Sequence, residues 1–449
     1  MNPSLLDRFR ELVAAAALAV ADPRPRAKFR DLALALVCAP KPKTITSGLE
    51  WLGQRQEDWS ADYRLFSQAR WDAPALFEPV FRQALAAFGG PRVYTGQDDT
   101  LVRKTGRKIP GVTYARDPLS PPFQVNLVLG QRFVQTSLLV QPGGRERPWR
   151  ALPVSFTHAP TPKPPKGADP LALAAFKEVR KKHRLSVVAL EQLAVCRQQL
   201  DRQPGGAQRW LVEVVDGSYA NRTFLRGLPE RTDAVARVRK DAKFRAYLPP
   251  AQRAGARKYG PGLPTPLESL RDPSLPWQSC AVFVAGQTRT LEYKEVTPLC
   301  WPKVTQTRPL RLLLIKAPGY RLRQGSKLLY REPAFLLTTD LTTPAAELIA
   351  AYLARGEVEV NFRDEKTLLG VGQAQVRQPQ AVARAPAFLV ACYSMLLWSS
   401  IGVFGDRRTE AFEILPAWRK TQPLRPSTRD LIRLLQRQAD DQLMHPLRN

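Results

Sequence analysis

The stretch WLVEVVDG, residues 210–217, is apolar apart from Glu213 and closes on Asp216 followed by Gly217. A run this short and this apolar reads as a strand buried on both faces, the kind found in the middle of an α/β sheet. Gly217 then turns the chain. Upstream, residues 92–100 (RVYTGQDDT) form a second strand-like run ending in Asp98-Asp99-Thr100. Downstream, residues 343–369 have the spacing of a helix that carries Glu359 and stops at Gly370. Two strand ends and one helix thus each offer a carboxylate. Carboxylates so placed can converge on a pair of divalent ions, which activate a hydroxyl and stabilise the leaving oxygen of a phosphodiester.

Composition narrows the chemistry. The chain has 449 residues, with 68 Lys and Arg against 40 Asp and Glu, a formal charge of +28. Hydrophobic residues make up 44%, enough for a sizeable core. The length calls for one large domain with additions, or two to three domains. An excess of positive charge this large points to a polyanion, most often nucleic acid. The five cysteines (38, 196, 280, 300, 392) include no CxxC pair and are odd in number, which argues against a disulfide framework or zinc module and for a reducing compartment. Histidines occur only at 158, 183 and 445, so a catalytic metal would rest on carboxylates and be a hard ion such as Mg²⁺. Residues 13–21 read as part of an amphipathic helix rather than a signal peptide. The charge-free run 387–404 is near spanning length but reads as a buried core helix.

The chain divides into a helical region over 1–90, a strand-rich first core part over 91–241, a β-rich insertion over 242–340, a second core part with the glutamate helix over 341–410, and a helical tail over 411–449. Gly89-Gly90-Pro91 breaks the first from the second. Residues 125–130, 133–140 and 149–156 read as an antiparallel meander with turns at Gly130-Gln131 and Gly143-Gly144. Residues 171–201 read as one long helix. Thr343-Pro344 reads as an N-cap followed by Pro at the first helical position.

Within 343–369, Tyr352, Arg355, Glu359 and Lys366 fall on one stripe of an ideal helix. The plain explanation is a charged surface stripe. The alternative is a working face, because a cation beside a metal-binding carboxylate is sensible where an anion also binds.

Tyr352-x2-Arg355-x3-Glu359-x6-Lys366 resembles the YREK signature of bacterial insertion-sequence transposases of the RNase H-like DDE group. DDTLVRKTGRK (98–108), with Lys104 and Gly106, is similar to their first-aspartate motif. Asp216-Gly217-Ser218-Tyr219, followed by Phe224-Leu225, is similar to the second, and residues 43–72 to their N-terminal region. The resemblance implies an α/β fold: an RNase H-like core of mixed sheet with flanking helices, a β-rich insertion before the glutamate helix, and a helical N-terminal region that binds transposon ends. It implies that Asp98 or Asp99, Asp216 and Glu359 hold two Mg²⁺ ions, with Mn²⁺ able to substitute; the family's Asp-x-Thr favours Asp98. Tyr352 and Arg355 would contact DNA phosphate, Lys366 would help position it, and Lys104 would lie on the DNA. Trp277 or Trp301 would receive a flipped base. The implied partners are double-stranded DNA, as transposon ends and target, and a second copy of the chain in a homodimer, with no membrane. The implied location is the bacterial cytoplasm, at the nucleoid. The basic stretches 237–245 and 253–259 read as phosphate-contacting loops. The rivals are an RNase H-like nuclease without strand transfer and a non-catalytic, domesticated DNA-binding protein.

Overall fold

The computed structural model describes residues 4–444 except 118–119, 122, 145, 166, 168, 254, 256, 285, 318, 321–326, 328, 331 and 420–422. Helices come first: α1 (Leu5–Ala17), α2 (Arg26–Cys38), α3 (Ile45–Trp51), α4 (Ser60–Ser67) and α5 (Glu78–Ala87). There follow β1 (Arg92–Arg103), β2 (Thr113–Arg116), β3 (Leu127–Val140) and β4 (Arg150–His158), then α6 (Pro170–Lys182) and α7 (Leu185–Asp201), then β5 (Trp210–Val215), α8 (Arg222–Arg226) and β6 (Thr232–Arg237). The next region holds β7 (Arg245–Ala246), α9 (Pro266–Arg271), β8 (Gln278–Val284), β9 (Gln287–Cys300), β10 (Leu310–Ile315), the small pair β11 (Gly319–Tyr320) and β12 (Leu329–Tyr330), and β13 (Ala334–Thr338). The chain closes with α10 (Ala345–Ala354), α11 (Gly356–Thr367), α12 (Pro379–Phe404) and α13 (Thr428–Met444).

The main sheet runs β2-β3-β1-β5-β6-β13-β10-β9-β7, with β4 also on β3 and β8 on β9. Strands β1, β5 and β6 are parallel; β3 is antiparallel to β1, and β4 to β3. The order β4-β3-β1-β5-β6 is that of an RNase H-like core, a mixed sheet flanked by helices, as the sequence implied. The apolar run 210–215 is the buried strand β5, and only Trp210 at its start is exposed.

One face of the sheet packs against the N-terminal helices, α7, α12 and α13, and the other against α10 and α11. The run 387–404 lies in α12, most of it buried in the core. Phe388 on α12 stacks edge-on to Phe29 of α2 (4.8 Å) and Phe66 of α4 (5.3 Å), so the N-terminal helices wrap this core helix. Arg150 of β4 bonds Asp406 beyond the end of α12 at 2.5 Å, both side chains 5% exposed. A buried pair like this fixes geometry more than it adds stability.

The structure departs from the local reading in four places. No turn forms at Gly130-Gln131; β3 runs straight through. A Cβ on Gly130 would lie 2.7 Å from the Val102 carbonyl, so this glycine permits close strand approach rather than a turn. The helix expected over 171–201 breaks at His183-Arg184 into α6 and α7. The helix expected over 343–369 breaks at Arg355, beside the weak helix former Gly356. Its start carries no Thr343 cap, because Asp340 accepts from the Thr343 hydroxyl and from its amide (2.9 Å). In the region 242–340, β13 pairs with β6, and β10 and β9 follow, so these strands extend the core sheet.

Glu213 is fully buried in β5 and accepts from the Thr95 hydroxyl on β1. Burial pushes its carboxyl up to about 8, the Thr95 bond opposing. An acid whose folded value lies above its unfolded one stabilises fully below the unfolded value and progressively less as pH rises through the folded one. Glu213→Gln removes this dependence. Relative to wild type, the variant is expected to gain on the order of a few kcal/mol of stability between pH 5 and pH 8.5, measured by urea unfolding at each pH. A pH-independent difference would show that Glu213 does not titrate this way.

Candidate active site

The parallel register of β1 and β5 ends with Gln97 opposite Val215, so Asp98 and Asp216 are the next residues on adjacent strands. Side chains alternate along β1. Thr95, Gln97 and Asp99 face α7; Gln97 bonds Thr136 (2.8 Å) and Gln192 of α7 (2.9 Å), and Asp99 pairs with Arg132 of β3 at 3.4 Å. Tyr94, Gly96 and Asp98 face α10 and α11: Tyr94 donates to Glu347, and Asp98 accepts from Arg355 at 2.7 Å. The two neighbouring aspartates therefore lie on opposite faces of the sheet.

Arg355 occupies the break between α10 and α11. Its guanidinium, with the side chain 15% exposed, donates to Asp98 at 2.7 Å and to Glu359 at 3.0 Å. Burial opposes its charge, but Asp98, Tyr352, Glu359 and Asp216 together hold it more firmly protonated than usual. Burial pushes Asp98 up to about 6; Arg355 works against this, while Asp99 and Asp216 add to it. Burial likewise raises Asp99, with Arg132 opposing. Asp216 accepts from the Ser218 amide, an Asx turn that holds the loop after β5. Of the two glutamates in GEVEV, Glu357 pairs with Arg425 of the C-terminal tail at 2.5 Å, and Glu359 alone turns to Arg355. Half-buried Tyr352 has the Arg355 guanidinium 6.0 Å from its ring centre.

The helix break leaves Tyr352, Arg355 and Glu359 grouped. Lys366 lies near the far end of α11, its ammonium 5.9 Å from the Phe362 ring and in the field of Glu365, Arg103, Asp117 and Asp99. Lys104 reaches the carbonyls of Gly372 (2.6 Å) and Ala374 (3.3 Å), and burial pushes it down to about 8. Trp277 is 42% exposed, with Lys294 and Lys316 4.7 and 5.2 Å from its ring centre. Trp301 is half-buried and edge-on to Phe244. It lines a cavity of about 860 Å³ with Gly217, Arg237, Lys240 and Arg271. Arg132 and the Gln97–Thr136–Gln192 cluster under the site escaped the sequence reading, although polar residues at every second position of a buried strand were the available signal.

Among the described residues no three acidic, His or Cys side chains stand ready-made as a metal cluster. The donor chemistry nevertheless fits a hard divalent ion. Asp98 and Asp216 are oxygen donors at adjacent strand ends, and a guanidinium already supplies positive charge between Asp98 and Glu359.

A family model described as DDE superfamily endonuclease matches residues 20–307, well over half the chain. The chain belongs to that family. No curated protein matches it. As a DDE superfamily endonuclease it cuts phosphodiester bonds in DNA. The matched span holds Asp98, Asp99 and Asp216 and stops before α10 and α11; Glu359 is linked to Asp98 through their shared contact with Arg355.

Gly96 is the contact on which α11 rests. A Cβ there would stand 3.3 Å from Val358 and 3.4 Å from Leu139. Gly96→Val is expected to force α11 off β1, costing about 1–3 kcal/mol in urea unfolding and lowering DNA cleavage under conditions where the variant is folded. Unchanged stability would show that α11 does not pack on β1 at this point.

Proposed function

We propose that this endonuclease is a cut-and-paste DNA transposase of an insertion sequence, and that Asp98, Asp216 and Glu359 are its acidic triad. The observation that carries this reading is the Arg355 guanidinium shared by Asp98 and Glu359 beside the end of β5. It supports Asp98 over Asp99, which faces the opposite side of the sheet with Arg132, and Glu359 over Glu357, which is held by Arg425.

Asp98, Asp216 and Glu359 would hold two Mg²⁺ ions, with Mn²⁺ able to substitute. When bound, such a pair lowers the pKa of an attacking water or 3′-hydroxyl and stabilises the departing oxygen. The protein's own groups do the rest. Arg355, now the countercharge for two carboxylates, finds in a DNA phosphate a competing acceptor of matching bidentate geometry. Tyr352 lies beside it to fix the same phosphate, and Lys366 contributes positive charge from further along α11. The cavity at Trp301, lined by Arg237, Arg239, Lys240 and Arg271 together with Asp241 and Glu332, would take a nucleotide drawn out of the duplex, with Trp301 rather than the lysine-flanked Trp277 as the stacking surface. Exposed faces of the N-terminal helices would read the transposon ends, two ends being brought together by a homodimer, and the cell compartment would be the bacterial cytoplasm at the nucleoid.

The test uses a plasmid carrying the gene with its native flanks. Wild type is expected to release a fragment bounded by inverted repeats and to join it to a second DNA. Glu359→Gln and Asp216→Asn are each expected to lower cleavage roughly 10²-fold or more while leaving DNA binding within about twofold of wild type by gel shift. Asp99→Asn is expected to retain cleavage. Cleavage without joining would establish the nuclease rival. Binding without any cleavage by wild type would establish the non-catalytic one.

A further inference from the structure

We infer that a second basic cavity, at the far end of β1 from its parallel neighbour, is the track for the DNA strand leaving the active site, and that it binds phosphates about five nucleotides from the cut. This rests on the reading of Asp98 as part of the site. The cavity, about 540 Å³, lies between the turn after β1 and the loop joining α11 to α12. Arg103, Lys104, Arg107, Lys108 and Arg377 line it, and among the described residues no carboxylate does.

The cavity is a built feature. The loop over it passes through Gly370 and Gly372, both at positive φ (65° and 115°). A Cβ on Gly372 would lie 2.2 Å from Val102, so only glycine lets the loop close on β1. Lys104 holds that loop by bonding the carbonyls of Gly372 and Ala374, which uses two of its three donors. Arg103 is partly neutralised by Asp117, 2.6 Å away. Arg107, Lys108 and Arg377 are exposed and have no hydrogen bond or ion pair among the described residues. Cations clustered in a concave site without carboxylates repel one another unless an anion joins them.

The cavity is also reached along the same strand that carries Asp98. Pairing of β1 with β5 stops at Gln97, so residues 98–103 run on beyond β5 toward the cavity. Lys366, near the end of α11, lies in the field of Arg103 at the cavity. Five strand residues span roughly 17 Å, the rise of about five nucleotides of one DNA strand. An elongated polyanion with regularly spaced charges matches this arrangement better than a single small anion.

The test is the triple variant Arg107→Ala, Lys108→Ala, Arg377→Ala, compared with wild type and with a control lacking the exposed basic groups of α6 (Lys177→Ala, Arg180→Ala, Lys181→Ala). Duplex affinity is measured across a salt series, phosphate contacts are mapped by ethylation interference, and cleavage is measured at saturating DNA. The triple variant is expected to reduce the log–log salt slope by about 2–3, to lose interference at phosphates about five nucleotides to one side of the cut, and to cut at the wild-type rate once DNA is saturating. The α6 control is expected to keep that interference. An unchanged salt slope, an unchanged interference pattern, or the same loss in the α6 control overturns the proposal, as does a triple variant that binds but no longer cuts. If wild type itself never cuts, the assignment of the active site fails, while the salt and interference arms still judge the cavity.

Discussion

The geometry of the site depends on one constraint, the parallel register that sets Gln97 beside Val215. In a parallel pair, residues one step beyond the last hydrogen-bonded partners emerge side by side at the same end of the sheet. Asp98 and Asp216 are those residues. Alternation along β1 then decides which acid belongs with α11, because a shift of one residue would exchange Asp98 for Asp99 and turn the carboxylate to the other face. The contacts around β1 hold that register: Gly96 admits Val358 of α11 on one face, while Thr95 bonds Glu213 and Gln97 bonds Gln192 on the other. The register is therefore fixed from both sides of the sheet.

Features recorded locally were legible in the sequence. The apolar run 210–215 identified the central strand, and the Asp-Gly after it marked the strand end. The run 387–404 was recognised as a core helix because an isolated apolar segment in so basic a chain is more readily explained by burial. What depended on partners distant in sequence was not legible. Gly130 looked like a turn because its reason for being small, the Val102 carbonyl on β1, lies 28 residues away. The strands within 242–340 suggested an insertion with its own character, yet β13 finds its partner in β6 roughly a hundred residues earlier. The stripe Tyr352–Lys366 assumed an unbroken helix. Arg355 interrupts it, and tail contacts from Arg425 to Glu357 and from Thr428 to Asp364 help set how α11 lies. Lys104 was expected on the DNA from its place in the first-aspartate motif, whereas its ammonium is tied to a loop 268 residues away.

The positive charge of this protein is thus used in two distinct ways. Where an arginine meets buried carboxylates, as Arg150 does with Asp406, the pair is closed: both partners are satisfied, both are 5% exposed, and no other ion can reach them. Arg355 differs in a way that matters chemically. Its carboxylate partners diverge in environment, Asp98 at 19% exposure and Glu359 at 61%, and Asp98 remains raised in pKa despite the guanidinium beside it. A pair in which one partner is solvent-facing and the other still resists ionisation is poorly compensated, so less free energy opposes its exchange for stronger partners. A divalent cation on the carboxylates would offer a higher charge than the guanidinium does, and a phosphodiester would offer the arginine two oxygens in bidentate geometry. The two exchanges also favour each other, since removing the guanidinium from Asp98 and Glu359 leaves acids that need a cation. On the proposed reading, an endonuclease site closed by its own arginine has a physical reason to become competent only when DNA is in place.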